Sequence, residues 1–174
     1  MPVVTLAGHT NLVNHVTFSR DGKRLATGSM DKTARIWDLA TGRTLLVLRG
    51  HADMINDVRF SADGRRLFSA SWDGTVRVWE IKSEKILHTF RHSDRVTCVA
   101  FHPNGRQLAS GSCDNTAKVW NLETGREMET LRSHIGYVMA LAYSPDGSLL
   151  ATASGYRYAG EVQLWETAAF GKKR

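Results

Sequence analysis

Histidine, serine or threonine, and aspartate are the residue types of a hydrolytic relay, and this chain carries them in a repeating order. Histidines stand at His9, His51, His92 and His134, spaced by 42, 41 and 42 residues. A nucleophilic triad is needed once per active site, whereas these residues recur at every period, which argues for a structural duty in each unit. Other catalytic signatures do not occur: there is no H-E-x-x-H, no phosphate-cradling glycine loop with its lysine, and no nucleophile elbow. His15, His88 and His102 fall at different strand or turn positions without matched carboxylate partners. Cys98 and Cys113 lie 15 apart with no C-x-x-C, so neither a disulfide scaffold nor a cysteine zinc site is indicated. The expectation is a protein that is not an enzyme, with no cofactor and no metal.

The chain has 174 residues, 42% hydrophobic and 23% charged, enough to bury a core and form one domain. Its net charge is +6, but Lys172, Lys173 and Arg174 supply three of those positive charges, which leaves the body mildly basic. No apolar run approaches the roughly 18 residues of a membrane span. The start, Met1 to Thr5, lacks the charged and apolar regions of a signal peptide. A reduced, cytoplasmic setting without membrane attachment is expected.

The elements that position these residues repeat with them. Trp37, Trp79, Trp120 and Trp165 are spaced by 42, 41 and 45 residues. Between the landmarks the same turn recurs: Ser19-Arg20-Asp21-Gly22, Ser61-Ala62-Asp63-Gly64, His102-Pro103-Asn104-Gly105 and Ser144-Pro145-Asp146-Gly147. The stretches between turns are short and β-rich, as in Val13 to Phe18, Leu25 to Ser29, Thr33 to Trp37 and Thr44 to Leu48. In Thr75-Val76-Arg77-Val78-Trp79, Val76 and Val78 share one face while Thr75, Arg77 and Trp79 share the other. Gly8-His9 ahead of a first strand and Trp37-Asp38 at the end of a third make the chain resemble the WD40 family of β-propellers. The resemblance covers essentially all of residues 2–166. It implies an all-β fold of four antiparallel units of four strands, with repeats at about 2–38, 44–80, 85–121 and 127–166 and a basic C-terminal tail at 167–174.

The resemblance also implies that the recurrent polar residues form a hydrogen-bonded structural network. By position these are His9, Thr27, Asp31 and Trp37; His51, Ser69, Asp73 and Trp79; His92, Ser110, Asp114 and Trp120; and His134, Thr152 and Trp165. Departures occur at the glycine before histidine, replaced by Arg91 and Ser133, and at the Trp-Asp pair, which becomes Trp79-Glu80, Trp120-Asn121 and Trp165-Glu166. The fourth unit has lost the network aspartate and reads Ser154-Gly155-Tyr156-Arg157-Tyr158-Ala159-Gly160, a candidate mobile aromatic loop.

Repeat and blade are out of phase in this family. Val3-Val4-Thr5-Leu6 matches the fourth-strand text of the other units, whereas no such text follows Trp165. WD40 rings typically need about seven blades, so four units imply either half of an eight-bladed homodimeric ring or a piece of a larger propeller. In the homodimer, Val3 to Leu6 of each copy would complete the last unit of the other. A self-closed four-bladed ring is the third arrangement.

Propellers of this kind bind partners on one loop face. The family's contact positions map here to Leu12, Asn14 and Met30, to Met54, Asn56 and Trp72, to Arg95, Thr97 and Cys113, and to Tyr137 and Met139 beside Tyr156, Arg157 and Tyr158. Methionine, aromatic residues and arginine make up the composition of a recognition patch. The resulting expectation is a scaffold that binds a protein or peptide. Alternatives are a basic nucleic-acid-associated propeller, from Lys23-Arg24, Arg65-Arg66 and the tail, or the repeat part of a larger signalling protein.

Overall fold

The computed structural model describes residues 4–171. Val3, from the unpaired fourth-strand text, and Lys172 to Arg174 lie outside the described residues. The chain folds into antiparallel sheets in sequence order. The first is β1 (Val13–Phe18), β2 (Arg24–Ser29), β3 (Ala34–Asp38) and β4 (Thr44–Leu48), and the second is β5 (Ile55–Phe60), β6 (Arg66–Ser71), β7 (Thr75–Glu80) and β8 (Ile86–Arg91). The third holds β9 (Val96–Phe101), β10 (Gln107–Ser112), β11 (Ala117–Asn121) and β12 (Glu127–Leu131). The last has only three strands, β13 (Tyr137–Tyr143), β14 (Leu149–Tyr156) and β15 (Ala159–Glu166). Each β1-to-β2 type connection turns on a glycine in the left-handed region, with φ of 67° at Gly22, 66° at Gly64, 69° at Gly105 and 76° at Gly147.

The period-2 pattern places apolar side chains on both faces of every sheet, and neighbouring sheets cover one another. Ala26, Ala34, Ile36 and Leu48 of the first blade pack on Ile55, Val58, Phe60, Leu67 and Trp79 of the second. Phe68, Ala70, Val76, Val78 and Phe90 then pack on Val96, Val99, Leu108 and Trp120 of the third. Ala109, Ala117, Val119 and Leu131 meet Val138 and Leu150 of the fourth. The two outermost faces have no neighbour. On the first blade Val16 is 52% and Phe18 66% exposed, whereas Val58 and Phe60, their counterparts one blade on, are buried. On the fourth, Val162 is 71% and Leu164 66% exposed, whereas their counterparts Ala117 and Val119 are fully buried.

A β-bulge interrupts the innermost strand of every blade, between Val13 and His15, Ile55 and Asp57, Val96 and Cys98, and Val138 and Ala140. Next to the bulge, buried Asp57 links the second blade to the third and lies beside the first. One oxygen lies 3.3 Å from His15 Nδ1 and accepts from Arg59 Nε at 3.2 Å, and the other accepts from the Val99 N–H at 3.0 Å.

Three expectations are modified. Val4 to Leu6 forms no strand, because β15, the edge it matches, lies three blade boundaries away, and Val4 sits instead beside Gly42 in the β3–β4 turn. Part of the tail is structured: Thr167–Ala169 is a short 3-10 helix, and Phe170 packs on the core between the last two blades. The aromatic segment of the fourth unit is not a loop. β14 and β15 run on through it, pairing Gly155 with Gly160 and Tyr156 with Ala159, so only Arg157 and Tyr158 turn.

Asp57→Ala is expected to leave the Val99 N–H unpaired and lower stability by about 1–3 kcal/mol. Urea unfolding measures the loss, and exchange of the Val99 amide locates it; an unchanged midpoint would remove Asp57 as an inter-blade link.

Candidate functional site

The recurrent polar residues converge within each blade. In the first, Trp37 Nε1 donates to Thr27 Oγ1 at 2.9 Å, that oxygen lies 2.7 Å from His9 Nε2, and His9 Nδ1 lies 2.7 Å from Asp31 Oδ2. The second repeats this with Trp79, Ser69, His51 and Asp73 at 2.8, 2.7 and 2.7 Å. The third uses Trp120, Ser110, His92 and Asp114 at 2.8, 2.7 and 3.0 Å. A hydroxyl that accepts the indole N–H donates to imidazole Nε2, which leaves Nδ1–H to face the carboxylate. The hydroxyl oxygen is sealed beneath the indole, so it is no nucleophile.

Threonines that position alone did not single out complete the network. Thr33, Thr75 and Thr116 donate to the second carboxylate oxygen at 2.6, 2.7 and 2.6 Å. The carboxylates also accept the N–H of Thr10, Ala52 and Ser93. Burial alone would raise the pKa of Asp31, Asp73 and Asp114, but these donors outweigh it and hold all three far below the usual carboxylate range. Each carboxylate thereby fastens the segment leading into its own blade to the β2–β3 type turn.

The fourth blade reaches the same end from another position. Glu161 Oε1 accepts from the Ile135 N–H, Ser154 Oγ and Gln163 Nε2, each at 2.9 Å. The longer glutamate side chain, opposite Ser154 in the hairpin, thus takes over the loop-holding duty of the missing aspartate. The sequence signal was weak, because Glu161 lies beyond the insertion. His134 keeps its Thr152 contact at 2.9 Å, while its Nδ1 faces the Asn115 carbonyl at 3.3 Å instead of a carboxylate. Burial pushes its pKa down.

The expected partner positions divide into two groups. Asn14 donates to the Ile55 carbonyl at 3.0 Å, Asn56 to the Thr97 carbonyl at 2.6 Å, and Thr97 to the Val138 carbonyl at 2.5 Å. These are bulge residues whose side chains stitch one blade to the next, and Thr97 is buried, so burial withdraws it from the surface set. Met139, at the same position in the last blade, is exposed. The second group lies on one loop face in pairs joined through the backbone: Met30 N–H to Leu12 at 2.8 Å, Trp72 N–H to Met54 at 3.0 Å, and Cys113 N–H to Arg95 at 2.9 Å. The Arg95 guanidinium sits 4.6 Å over the Trp72 ring, across a blade boundary. Tyr137 and Tyr156 meet edge to face at 5.6 Å, Arg157 lies 5.4 Å from the Tyr156 ring, and Tyr158 is fully exposed.

On the opposite face Arg24, one of the basic turn residues, donates to the Gly64 carbonyl at 2.9 Å and lies over Phe60 at 5.4 Å. It is engaged internally. Burial pushes the Cys98 thiol up to about 12, which leaves it unreactive. Among the described residues no cluster of metal-ligating side chains occurs, and no helix is long and apolar enough to cross a membrane.

Comparison with known proteins gives four matches, each offset from the blades by one strand, so that the match at 42–80 takes β4 of the first blade together with β5 to β7 of the second. The family model described as WD domain, G-beta repeat, fits residues 1–38, 42–80, 84–121 and 125–166. A Notchless protein homolog of Arabidopsis thaliana is 50% identical over 46 residues, 26% of this chain and 10% of that protein. The target of rapamycin complex subunit wat1 of Schizosaccharomyces pombe is 51% identical over 39 residues, 22% of this chain and 12% of that protein. The small ribosomal subunit protein RACK1 of Saccharomyces cerevisiae is 43% identical over 44 residues, 25% and 14% of the two chains. Each match is about one repeat long and spans a small part of its relative.

Asp73→Ala is expected to lower stability by about 1–3 kcal/mol at neutral pH, by stranding His51 and the Ala52 N–H. The sign of the pH dependence follows from the depressed carboxyls. Their stabilisation is complete above the ordinary aspartate pKa of about 3.9 and is lost as pH falls from there towards the native values. Urea midpoints at pH 5 and pH 2.5 should fall less in Asp73→Ala than in wild type; equal falls would count against the network.

Proposed function

The chain belongs to the WD40-repeat family, and from that premise we propose a non-enzymatic scaffold that holds a protein or peptide segment on its loop face. The Trp72–Arg95 pair carries this reading. It is a flat, partly accessible indole beneath a guanidinium, in the middle of the arc of blades and fixed by backbone bonds on both sides. Arginine over tryptophan presents apolar area and directed donors together, the combination that concentrates binding energy at interfaces. Leu12, Tyr137, Met139 and Tyr156 extend the exposed apolar surface to either side. Methionine adapts to different ligand shapes, and tyrosine offers area at little entropic cost.

A scaffold of this kind needs its outer faces covered, and a second copy of the chain fits them. The open face of the fourth blade presents Val162 and Leu164 where inner boundaries present Ala117 and Val119, and Val16 and Phe18 of the first blade offer the complementary side. Covering each such side chain is worth about 1.5–3 kcal/mol. The unpaired edge of β15 borders a groove of about 660 Å³, between Leu164 to Glu166 and Glu129 to Ser133. A fourth strand belongs there, and Val3 to Leu6 of the second copy has the matching text: Leu6 takes the place of Leu48 and Val4 that of Leu46. Two copies would give eight blades and one continuous loop face. In a longer polypeptide, further repeats would cover the same surfaces.

Peptides selected on the wild-type chain from a displayed random library are expected to bind Trp72→Ala at least about tenfold more weakly, the loss of a central interface anchor. The urea midpoint should stay close to wild type. Equal binding would sink the loop-face reading, and a large fall in stability would make Trp72 part of the core.

Light scattering is expected to give twice the 19.4 kDa chain mass at micromolar concentration, and deletion of Val3 to Leu6 should return the monomer. A monomer at every concentration would refute the two-copy ring and leave the loop-face reading standing.

A further inference from the structure

The face opposite the loops carries a recurrent side-chain motif. At two of the three blade boundaries the turn glycine of the following blade directs its carbonyl at a planar donor on the preceding blade. Between the first and second blades, Arg24 donates to the Gly64 carbonyl at 2.9 Å and covers the Phe60 ring at 5.4 Å. Between the third and fourth, His102 Nε2 donates to the Gly147 carbonyl at 3.0 Å, and its ring meets Tyr143 edge to face at 5.0 Å. His102 Nδ1 accepts the Asn104 N–H at 3.1 Å, which fixes the tautomer with its proton on Nε2. Phe60, Phe101 and Tyr143 occupy the same strand position. The chain thus builds one motif from two different residues: a planar N–H donor bonded to a glycine carbonyl and packed against an aromatic ring.

Between the second and third blades the motif lacks its donor. Gly105 has the same turn conformation as Gly64 and Gly147 and lines this boundary with the Phe101 ring, but the positions matching Arg24 and His102 hold Arg66 and Ser61. The Ser61 hydroxyl is bonded within its own turn, to Asp63 at 2.5 Å, and the Arg66 side chain makes no hydrogen bond among the described residues. A cavity of about 550 Å³ opens there, walled by Phe60, Phe68, Phe101 and Leu122, with Asp63 and Arg66 also on its lining. Phe101 is half-buried, whereas Phe60 under its guanidinium is buried.

We propose that this cavity receives an arginine side chain from a partner protein, its guanidinium lying on Phe101 and donating to the Gly105 carbonyl. The neighbouring boundaries define the chemistry, because they show which group satisfies this carbonyl and ring when the chain supplies it itself. Arginine combines a planar face with several donors, which the compact ammonium of lysine does not. Asp63 supplies a favourable charge, and Arg66 is the internal competitor.

Titration of the isotope-labelled 174-residue chain with Nα-acetyl-arginine amide, followed by amide NMR, tests the assignment. Saturable shifts are expected at Ser61, Ala62, Gly105 and Arg106, with Nα-acetyl-lysine amide binding about tenfold more weakly or not at all. Ser61→His rebuilds the His102 arrangement inside the cavity and should abolish the shifts while preserving amide dispersion. If that variant does not fold, Phe101→Leu, which removes the ring face at similar volume, takes its place with the same expected loss. The proposal is overturned by absence of saturable shifts, by equal affinity for the lysine or a norleucine probe, or by undiminished binding to the plugged variant. Binding to Arg66→Ser with none to wild type overturns it too, since Arg66 would then be the resident donor. None of these outcomes bears on the loop-face reading, which peptide binding to Trp72 tests separately.

Discussion

A sheet with apolar side chains on both faces cannot stand alone in water, and this constraint governs the architecture. Each blade buries one face only by presenting it to the next, so Ile36 is covered by the second blade, Val78 by the third and Val119 by the fourth. Removal of apolar area from water drives this stacking, but area alone is non-directional. Direction comes from the bulges, where Asn14, Asn56 and Thr97 reach over the boundary to a backbone carbonyl in the innermost strand of the following blade. A bulge turns one side chain out of the alternating pattern, and here it turns it towards a neighbour.

Within a blade the polar relay does a different job. It joins the incoming segment, the second strand and the third strand through one hydroxyl oxygen and one carboxylate. The loop face therefore inherits its geometry from buried groups. Trp72 follows the serine that supports Asp73, and its N–H is held by the Met54 carbonyl, so the indole is placed by the same turn that fixes the carboxylate. Glu161 shows that the duty belongs to a position in space, since a carboxylate arriving from the opposite arm of a hairpin does the same work.

Most of the architecture was legible because it rests on local patterns repeated four times. Strand limits such as Val13–Phe18 and Thr44–Leu48 match the β-rich text between turns, and the missing fourth strand after Trp165 is visible as missing text. The features that escaped depend on pairing across distance. Glu161 lies too far along the chain for a positional comparison, and the segment around Tyr156 looks like an inserted loop until its pairing with Ala159 is known. The inter-blade bonds of the bulge residues were not legible for a physical reason: strict alternation would turn Asn14, Asn56 and Thr97 away from the blade that their side chains in fact reach. Variation in the Gly-His landmark also has an explanation only in three dimensions. A side chain at Gly8 or Gly50 would meet Arg35 or Arg77 at 2.5 or 2.6 Å, and where Lys118 or Gln163 stands in place of that arginine, Arg91 or Ser133 precedes the histidine.

The recurrence of one packing register at every boundary has a consequence for how such a chain can vary. The three boundaries are made by side chains, namely the apolar residues of facing sheets, the bulge residues Asn14, Asn56 and Thr97, and Asp57, and not by the peptide that connects one blade to the next. Blades can therefore be added or removed as whole units without a new interface being invented. Covalent connectivity becomes a question of gene arrangement, while the assembled surface is fixed by a single repeated handshake.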